Sequence, residues 1–464
     1  MSGLARPIAD LRPRYDAVVV GSGYGGGVAA SRLARMGLEV AVLERGREFL
    51  AGDFPTTLLG SQREMQVSWG RRRIGPAAGL YDVRVGRDVH VVSGCGLGGT
   101  SLINANVCLS PDPLVFADER WPAAIRTDHY LNVGFHRARA MLAPEPLPET
   151  SRPKKLDALA RAASALGREM ERVPLHIAFR DGKTAAGVAQ RACTECGDCM
   201  SGCNVGAKTT VHSTYLADAA DHGTAIFTEA TVRFVERQPD GQWRVVLRSS
   251  TSATDAVPLR AVTASMVVIA AGTLGSNEIL MRSRERGLAL SDRLGRGIST
   301  NADAIAFGYN NDVAVNAIGI GNPRKAKVPP PGPAVAGLVD LRRRRDPDQR
   351  IALVEASIQS AMAPVLPLML PAGAVVGHDT DKGLADFLAE LGRTGESVLK
   401  GAYAGAAHNT QIFLAVGHDS GSGEIRFEND HVEIAWPKAL DEPVFAAIEA
   451  TIKKAVAATG GTYV

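Results

Sequence analysis

Three groups of residues have types and spacings that could do chemistry. Four cysteines, Cys193, Cys196, Cys199 and Cys203, fall close enough in sequence to hold a metal through their thiolates. A carboxylate, Glu355, interrupts the apolar run Leu353-Val354-Glu355-Ala356 and could move a proton. Two glycine-dense segments, Gly21 to Gly26 and Gly94 to Gly99, could bring backbone close to a flat or phosphorylated ligand.

The cysteines read Cys193-x2-Cys196-x2-Cys199-x3-Cys203, a spacing used by bacterial ferredoxins to hold iron–sulfur clusters. Asn204 follows the fourth cysteine where those proteins have proline, and no second cysteine run is present to share ligands. A single 4Fe–4S cluster would therefore use Cys193, Cys196 and Cys199, with Cys203 as its fourth ligand. A four-cysteine zinc loop is a competing reading, and a reduced structural loop is another. Ligation would protect four clustered thiols from oxidation.

The first glycine segment, Gly21-Ser22-Gly23-Tyr24-Gly25-Gly26, is a G-x-G-x-x-G that follows the apolar run Asp16 to Val20. In that pattern Gly21 permits the tight turn, Gly23 admits a pyrophosphate, and Gly26 lets a helix pack closely on the sheet. The phosphates then sit at the helix N-terminus, where free N–H groups and the dipole favour anions. Glu44 ends the next apolar run, Val40 to Leu43, where a carboxylate can bond ribose hydroxyls. The motif alone does not separate FAD from NAD. The second segment, Gly94-Cys95-Gly96-Leu97-Gly98-Gly99-Thr100-Ser101, leads to Asn104 and Asn106. It reads as a close approach to a ligand or, more plainly, as a surface loop.

Glu355 would be a general base if an apolar pocket desolvated it and raised its pKa. The plainer reading is an edge-strand glutamate facing solvent. The ten histidines show neither metal-ligand spacing nor a triad.

These groups need elements to position them. Asp16 to Val20, a helix over Gly27 to Met36 closed by Gly37, and Val40 to Leu43 form a complete βαβ unit. Asp53 to Gly86 reads as loop-rich. Leu156 to Leu166 is an amphipathic helix, and Val211 to Ala220 carries a helical signal. Strands are expected around Ala225 to Phe234, Trp243 to Leu247 and Met266 to Ala271, followed by a helix from Gly275 to Ser283. Strands and loops follow Asn301, and Phe445 to Ala458 is a final amphipathic helix. The fold class is α/β, a Rossmann-type domain with a second α+β domain built on an antiparallel sheet. The dinucleotide domain is expected from 1–130 and 185–300, with the cysteine loop in its second part, and the substrate domain from 301–464.

A chain of 464 residues with 45% hydrophobic and 22% charged residues is long enough for several packed domains. Its formal charge of +3 is too small to argue for nucleic acid. The basic runs Arg71-Arg72-Arg73 and Arg342 to Arg345 are short enough to be solvated faces. The N-terminal stretch to Tyr15 has no apolar signal region, and no apolar run is long enough to span a membrane. Clustered thiols without a spread disulfide framework favour a reducing compartment, so a cytoplasmic protein is expected.

Taken together, the motifs resemble the glucose-methanol-choline (GMC) oxidoreductases, and within them the cholesterol-oxidase-like branch. The resemblance rests on Val18 to Gly46, Gly94 to Asn106, Ala270 to Ser276, and Leu294 to Gly297 followed by Asn301. It implies FAD, bound by Gly21, Gly23, Gly26 and Glu44, with Gly94, Gly96, Gly98, Gly99 and Asn104 toward the isoalloxazine and Gly272 in the second signature. Val232 matches the position whose backbone meets the adenine. The implied activity is oxidation of a CH–OH group, on a sterol or other bulky apolar alcohol, with hydride passing to flavin N5. Glu355 is similar by context to a glutamate that moves protons during steroid isomerisation. The acceptor is expected to be oxygen or a redox protein. The alternatives are a dehydrogenase delivering electrons through a cluster, and a non-catalytic electron-transfer protein. The family's HPLGG-type histidine segment does not occur before Val464, so this polypeptide is expected to lack the base that takes the hydroxyl proton.

Overall fold

A computed structural model describes residues 3–70, 72–127, 130–250, 259–321, 328–381 and 383–464. Arg71, the first residue of the first basic run, lies outside the described residues. Strand β1 (Arg14–Val20), helix α1 (Tyr24–Arg35) and strand β2 (Val40–Leu43) form the expected βαβ unit. β2 and the end of β1 are buried on both faces, which their unbroken apolar runs require of parallel strands.

The first sheet has six strands. Ala225–Phe227, β2, β1 and Arg260–Ile269 run parallel, and Trp243–Ser249 and Ala230–Arg237 complete it antiparallel. Ala30 and Ala34 of α1 pack on one face with Val19, Val42 and Leu216. Ile279 of the helix Gly272–Glu285 packs on the other with Val18 and Val20. Helices on both faces of a largely parallel sheet are the layering of a Rossmann domain.

The second sheet has seven antiparallel strands in the order His378–Asp379, Thr462–Tyr463, Ala304–Tyr309, Gln411–Val416, Ala352–Ala356, Gly337–Asp340 and Glu171–Arg172. The helices Lys154–Ala165 and Pro443–Ala457 cover one face, where Leu159, Ile448 and Ile452 meet Leu353 and Phe413. Residues 154–172 thus join the domain expected from 301–464.

Three local expectations change. Asp53 to Gly86, expected as loop, contains most of a four-stranded sheet of Met65–Trp69, Arg72–Ile74, Tyr81–Val85 and His90–Gly94. Its strands are short and largely solvent-facing, so they lack the apolar alternation that marks a strand. The helical signal at Val211 resolves into a π-helical turn, His212–Leu216, continued by Ala217–Asp221. Beyond Asn301 there are also helices at Leu366–Ala374 and Leu384–Lys400.

Candidate functional site: a dinucleotide cradle beside a cysteine chamber

The chain leaves β1 through Gly21, whose φ of +92° is a backbone conformation that side chains rarely adopt. Gly26 packs so tightly on the Gly21 carbonyl that no side chain fits there. Gly23 is different, because a Cβ there would meet nothing within 4 Å. The turn is therefore closed on its inside and open on its outside. α1 starts with no side-chain cap and no acidic residue in its first turn, which leaves its N–H groups free for an anion. This cradle fits a pyrophosphate.

Glu44 is 7% exposed and closes the turn from beneath. Its carboxylate accepts from Ser22 N at 3.1 Å, Ser22 Oγ at 2.5 Å and Gly46 N at 2.7 Å. A carboxylate has about four lone-pair sites, so capacity remains for a ribose hydroxyl. The Glu44 carbonyl accepts from Ala230 N at 2.8 Å, which brings the strand carrying Val232 alongside. Val232 stands at a register shift between that strand and its neighbour, where the regular hydrogen-bond ladder is interrupted.

The second glycine segment is stacked on the first. Gly98 N donates to Ser22 Oγ at 3.0 Å, and Asn104 Nδ2 donates to Tyr24 Oη at 3.0 Å. A Cβ on Gly96 would stand 2.9 Å from Leu102 Cδ1, and one on Gly94 would stand 2.8 Å from Thr100 Cα. Gly272 opens its helix immediately after the fourth parallel strand, Arg260–Ile269, next to Ala270, which packs on Gly21. Gly21, Gly23, Gly26, Glu44, Gly98, Gly99, Asn104 and Gly272 are thus gathered at the carboxyl ends of the parallel strands, where open α/β sheets bind ligands. The motif reading did not assign Ser22 or Tyr24 a role, although both occupy its variable positions. Nor did it single out Glu48 and His212, which pair at 2.7 Å beside Gly98.

Behind this cradle the four cysteines, each half-buried, line one small cavity with room for about one water, together with Asn106, Asp198 and Lys208. Asp198 fastens the loop to the second domain by accepting from Ser360 N at 2.6 Å and Gly321 N at 2.7 Å. Lys208 Nζ donates to Leu102 O at 3.0 Å, Asn104 O at 2.7 Å and Cys199 O at 3.1 Å. One ammonium thereby ties the second glycine segment to the cysteine loop. Burial lowers the Lys208 pKa to about 8, and the same burial, with Cys199 nearby, raises the Cys196 thiol to about 12.

The cysteines are all free, and no three of their sulfurs lie within 4.8 Å of one another. Thiolates around one zinc at about 2.3 Å stand roughly 3.8 Å apart, so the thiols are not gathered on a single ion, as the zinc reading required. Two buried side chains beside the loop lack partners among the described residues. Asn106 is 0% exposed with both amide atoms unmet, and His176 is 6% exposed with both ring nitrogens unmet. Each unmet buried group costs about 1–3 kcal/mol.

The structure gives Glu355 a different setting from the expected base pocket. The residue is 0% exposed and pairs with Lys155 at 3.2 Å, itself 0% exposed. Glu355 Oε1 also accepts from Ala336 N at 2.9 Å and Oε2 from Gly337 N at 3.0 Å. Burial raises its pKa, as expected, but Lys155 and the two backbone donors oppose the rise. These partners hold the strand Gly337–Asp340 and the helix carrying Lys155 together. They tie Glu355 firmly into the fold, and its complete burial overturns the solvent-facing reading.

With this geometry in place, the comparisons with known proteins agree on a class. Residues 15–299 match the family model described as GMC oxidoreductase. The chain belongs to the GMC oxidoreductase family, whose cofactor is FAD. It is 33% identical over 317 residues to a cholesterol oxidase of Mycobacterium tuberculosis (strain CDC 1551 / Oshkosh), covering 64% of this chain and 53% of that protein. It is 29% identical over 325 residues to a cholesterol oxidase of Acinetobacter baumannii, covering 65% and 57%. A long-chain-alcohol oxidase of Arabidopsis thaliana is 29% identical over 222 residues, covering 47% and 26%. The matched region spans little more than half the length of these cholesterol oxidases. The crystal structure of pyridoxine 4-oxidase from Mesorbium loti shares the fold, with a TM-score of 0.54 at 16% identity over 95% of this chain and 80% of that one. No helix among the described residues is long and apolar enough to cross a membrane.

Proposed function

We propose that the chain performs FAD-dependent oxidation of an alcohol, with a sterol or other bulky apolar alcohol as substrate and oxygen as acceptor. The observation that carries this reading is the pair of interlocked glycine segments, a cradle whose outer face is open at Gly23. Relatives named as oxidases of cholesterol and of long-chain alcohols support the substrate class. When bound, FAD supplies a hydride acceptor at N5 for the carbinol carbon. The chain's own residues bind and orient. Gly21, Gly23 and Gly26 with the N-terminus of α1 hold the pyrophosphate, Glu44 holds a ribose hydroxyl, and the backbone at Val232 meets the adenine. Gly94, Gly96, Gly98, Gly99, Asn104 and Gly272 shape the ring end. Peroxide formed in air from a 3β-hydroxysterol or a long-chain alcohol tests the reading. Turnover only with an added acceptor makes the protein a dehydrogenase, and no turnover with any alcohol favours an electron-transfer protein.

A second reading adds a 4Fe–4S cluster on Cys193, Cys196, Cys199 and Cys203, passing electrons to a redox partner. What supports it is the cysteine spacing; the cavity that the four cysteines line has room for about one water, so a cluster would require the loop to open. A cubane cluster holds its thiolates farther apart than a single ion does. Iron and labile sulfide measured on anaerobically purified protein test this reading, and absence of both rejects it. Free cysteines throughout fit a cytoplasmic setting.

A further inference from the structure

Tyr24 and Asn104 meet where the two glycine segments join. Tyr24 is the first residue of α1, directly after Gly23, and Asn104 follows the second segment. Asn104 Nδ2 donates to Tyr24 Oη at 3.0 Å, and Asn104 Oδ1 accepts from Asn106 N at 3.3 Å. The second bond fixes which way the amide points, because a backbone N–H can be met only by the oxygen. The backbone carbonyl of Asn104 is held as well, by Lys208 Nζ at 2.7 Å. A phenol carries one donor and an amide nitrogen two. Nothing among the described residues accepts the Tyr24 O–H or the second Asn104 N–H. Two unspent donors thus stand 3.0 Å apart, on side chains that the fold holds in place. Tyr24 is 37% exposed and Asn104 is half-buried, so both are open to an incoming ligand. Burial of the rest of the ring raises the phenol above its usual pKa, which keeps its proton in place at neutral pH.

We propose that Tyr24 and Asn104 form a two-donor clamp on an electron-rich heteroatom at the ring end of the bound flavin, favouring the reduced ring over the oxidised one. The proposal rests on the reading of the glycine segments as an FAD cradle with Asn104 toward the isoalloxazine. Gly23 marks the open side of the first segment and Asn104 the far end of the second, so a ligand reaching from one to the other passes this pair. Reduction adds electron density to the ring, and hydrogen bonds to its heteroatoms are one lever by which a protein tunes a flavin. The Tyr24 hydroxyl acts twice, orienting the Asn104 amide and donating its own proton beside it.

The test compares wild type, Tyr24→Phe, Asn104→Leu and the double variant, each reconstituted with FAD. Affinity is read by flavin fluorescence titration and the flavin midpoint potential by dye-coupled reductive titration. Tyr24→Phe keeps the ring and removes only the hydroxyl. It is expected to lower FAD affinity by no more than about tenfold and to shift the midpoint potential negative. Asn104→Leu is expected to shift the potential in the same direction, and the double variant by less than the two shifts together, since either loss disables the shared clamp. An unmoved potential in Tyr24→Phe with FAD bound overturns the clamp and leaves the cradle standing. Weakened FAD binding in Tyr24→Phe with an unmoved potential places the hydroxyl on the phosphate chain and also overturns the clamp. A wild-type chain that binds no FAD overturns the cradle reading and the clamp together.

Discussion

Gly99 rests directly on Gly23: a Cβ built on Gly99, at φ +58°, would stand 2.8 Å from the Gly23 Cα. The two glycine segments, far apart in sequence, therefore form one surface. Gly23 turns its open side outward, and its neighbour closes the inward side. The contact explains why both positions need glycine for different reasons, one for a ligand and one for the chain.

That difference separates two substitutions. Gly23→Val places its side chain in open space, at a residue with an ordinary extended φ of −68°. It is expected to fold with a stability change within about 1 kcal/mol, yet to lose FAD affinity by more than about tenfold. Gly99→Val meets backbone and is expected to unfold or weaken the apo chain as well. Thermal melts beside flavin fluorescence titrations check both, and a Gly23→Val that binds FAD normally contradicts the cradle.

The buried Lys155–Glu355 pair predicts a stability effect without a proton-transfer effect. Lys155→Met leaves an uncompensated buried carboxylate and is expected to cost about 3–5 kcal/mol. Glu355→Gln keeps the shape and most of the hydrogen bonding and is expected to cost less. At temperatures where both remain folded, the rate of flavin reduction by alcohol should change little. A loss of more than about a hundredfold in Glu355→Gln, with the fold intact, would restore Glu355 as a proton carrier.

The parts of this site legible in the sequence are those whose cause is local. Val18 to Val20 and Val40 to Leu43 are short apolar runs, and Gly21 to Gly26 lies between them, so strand, turn and helix follow from neighbours in the chain. Glu44 was legible because it ends the second run. Lys155 and Glu355 were not legible as a pair, because the contact joins a helix and a strand 200 residues apart. Lys208 closes the cysteine motif, but its role was not legible, since its three partners are carbonyls that any residue carries. The small sheet from Met65 to Gly94 went unread because Arg72, Arg73, Arg84 and His90 mask its alternation.

His176 predicts a pH signature. Burial, with the nearby Lys208 charge, lowers its pKa to about 4 from the usual 6.5. The folded state therefore binds fewer protons than the unfolded chain between those values. The resulting stability is fully present above about pH 6.5 and is lost as pH falls toward 4, by up to about 3 kcal/mol. Replacing the ring with Phe should flatten this part of the stability profile relative to wild type. Parallel wild-type and His176→Phe profiles over that window contradict the assignment.

The most direct test of the central claim is anaerobic. Chain reconstituted with FAD and freed of excess cofactor is mixed with a long-chain primary alcohol, a 3β-hydroxysterol or the sterol's matching 3-ketone, and the flavin absorbance is followed. The account predicts about one FAD per chain, bleached by an alcohol and untouched by the ketone, with no binding in Gly23→Val. FAD that fails to bind, or bound FAD that every alcohol leaves oxidised, contradicts it.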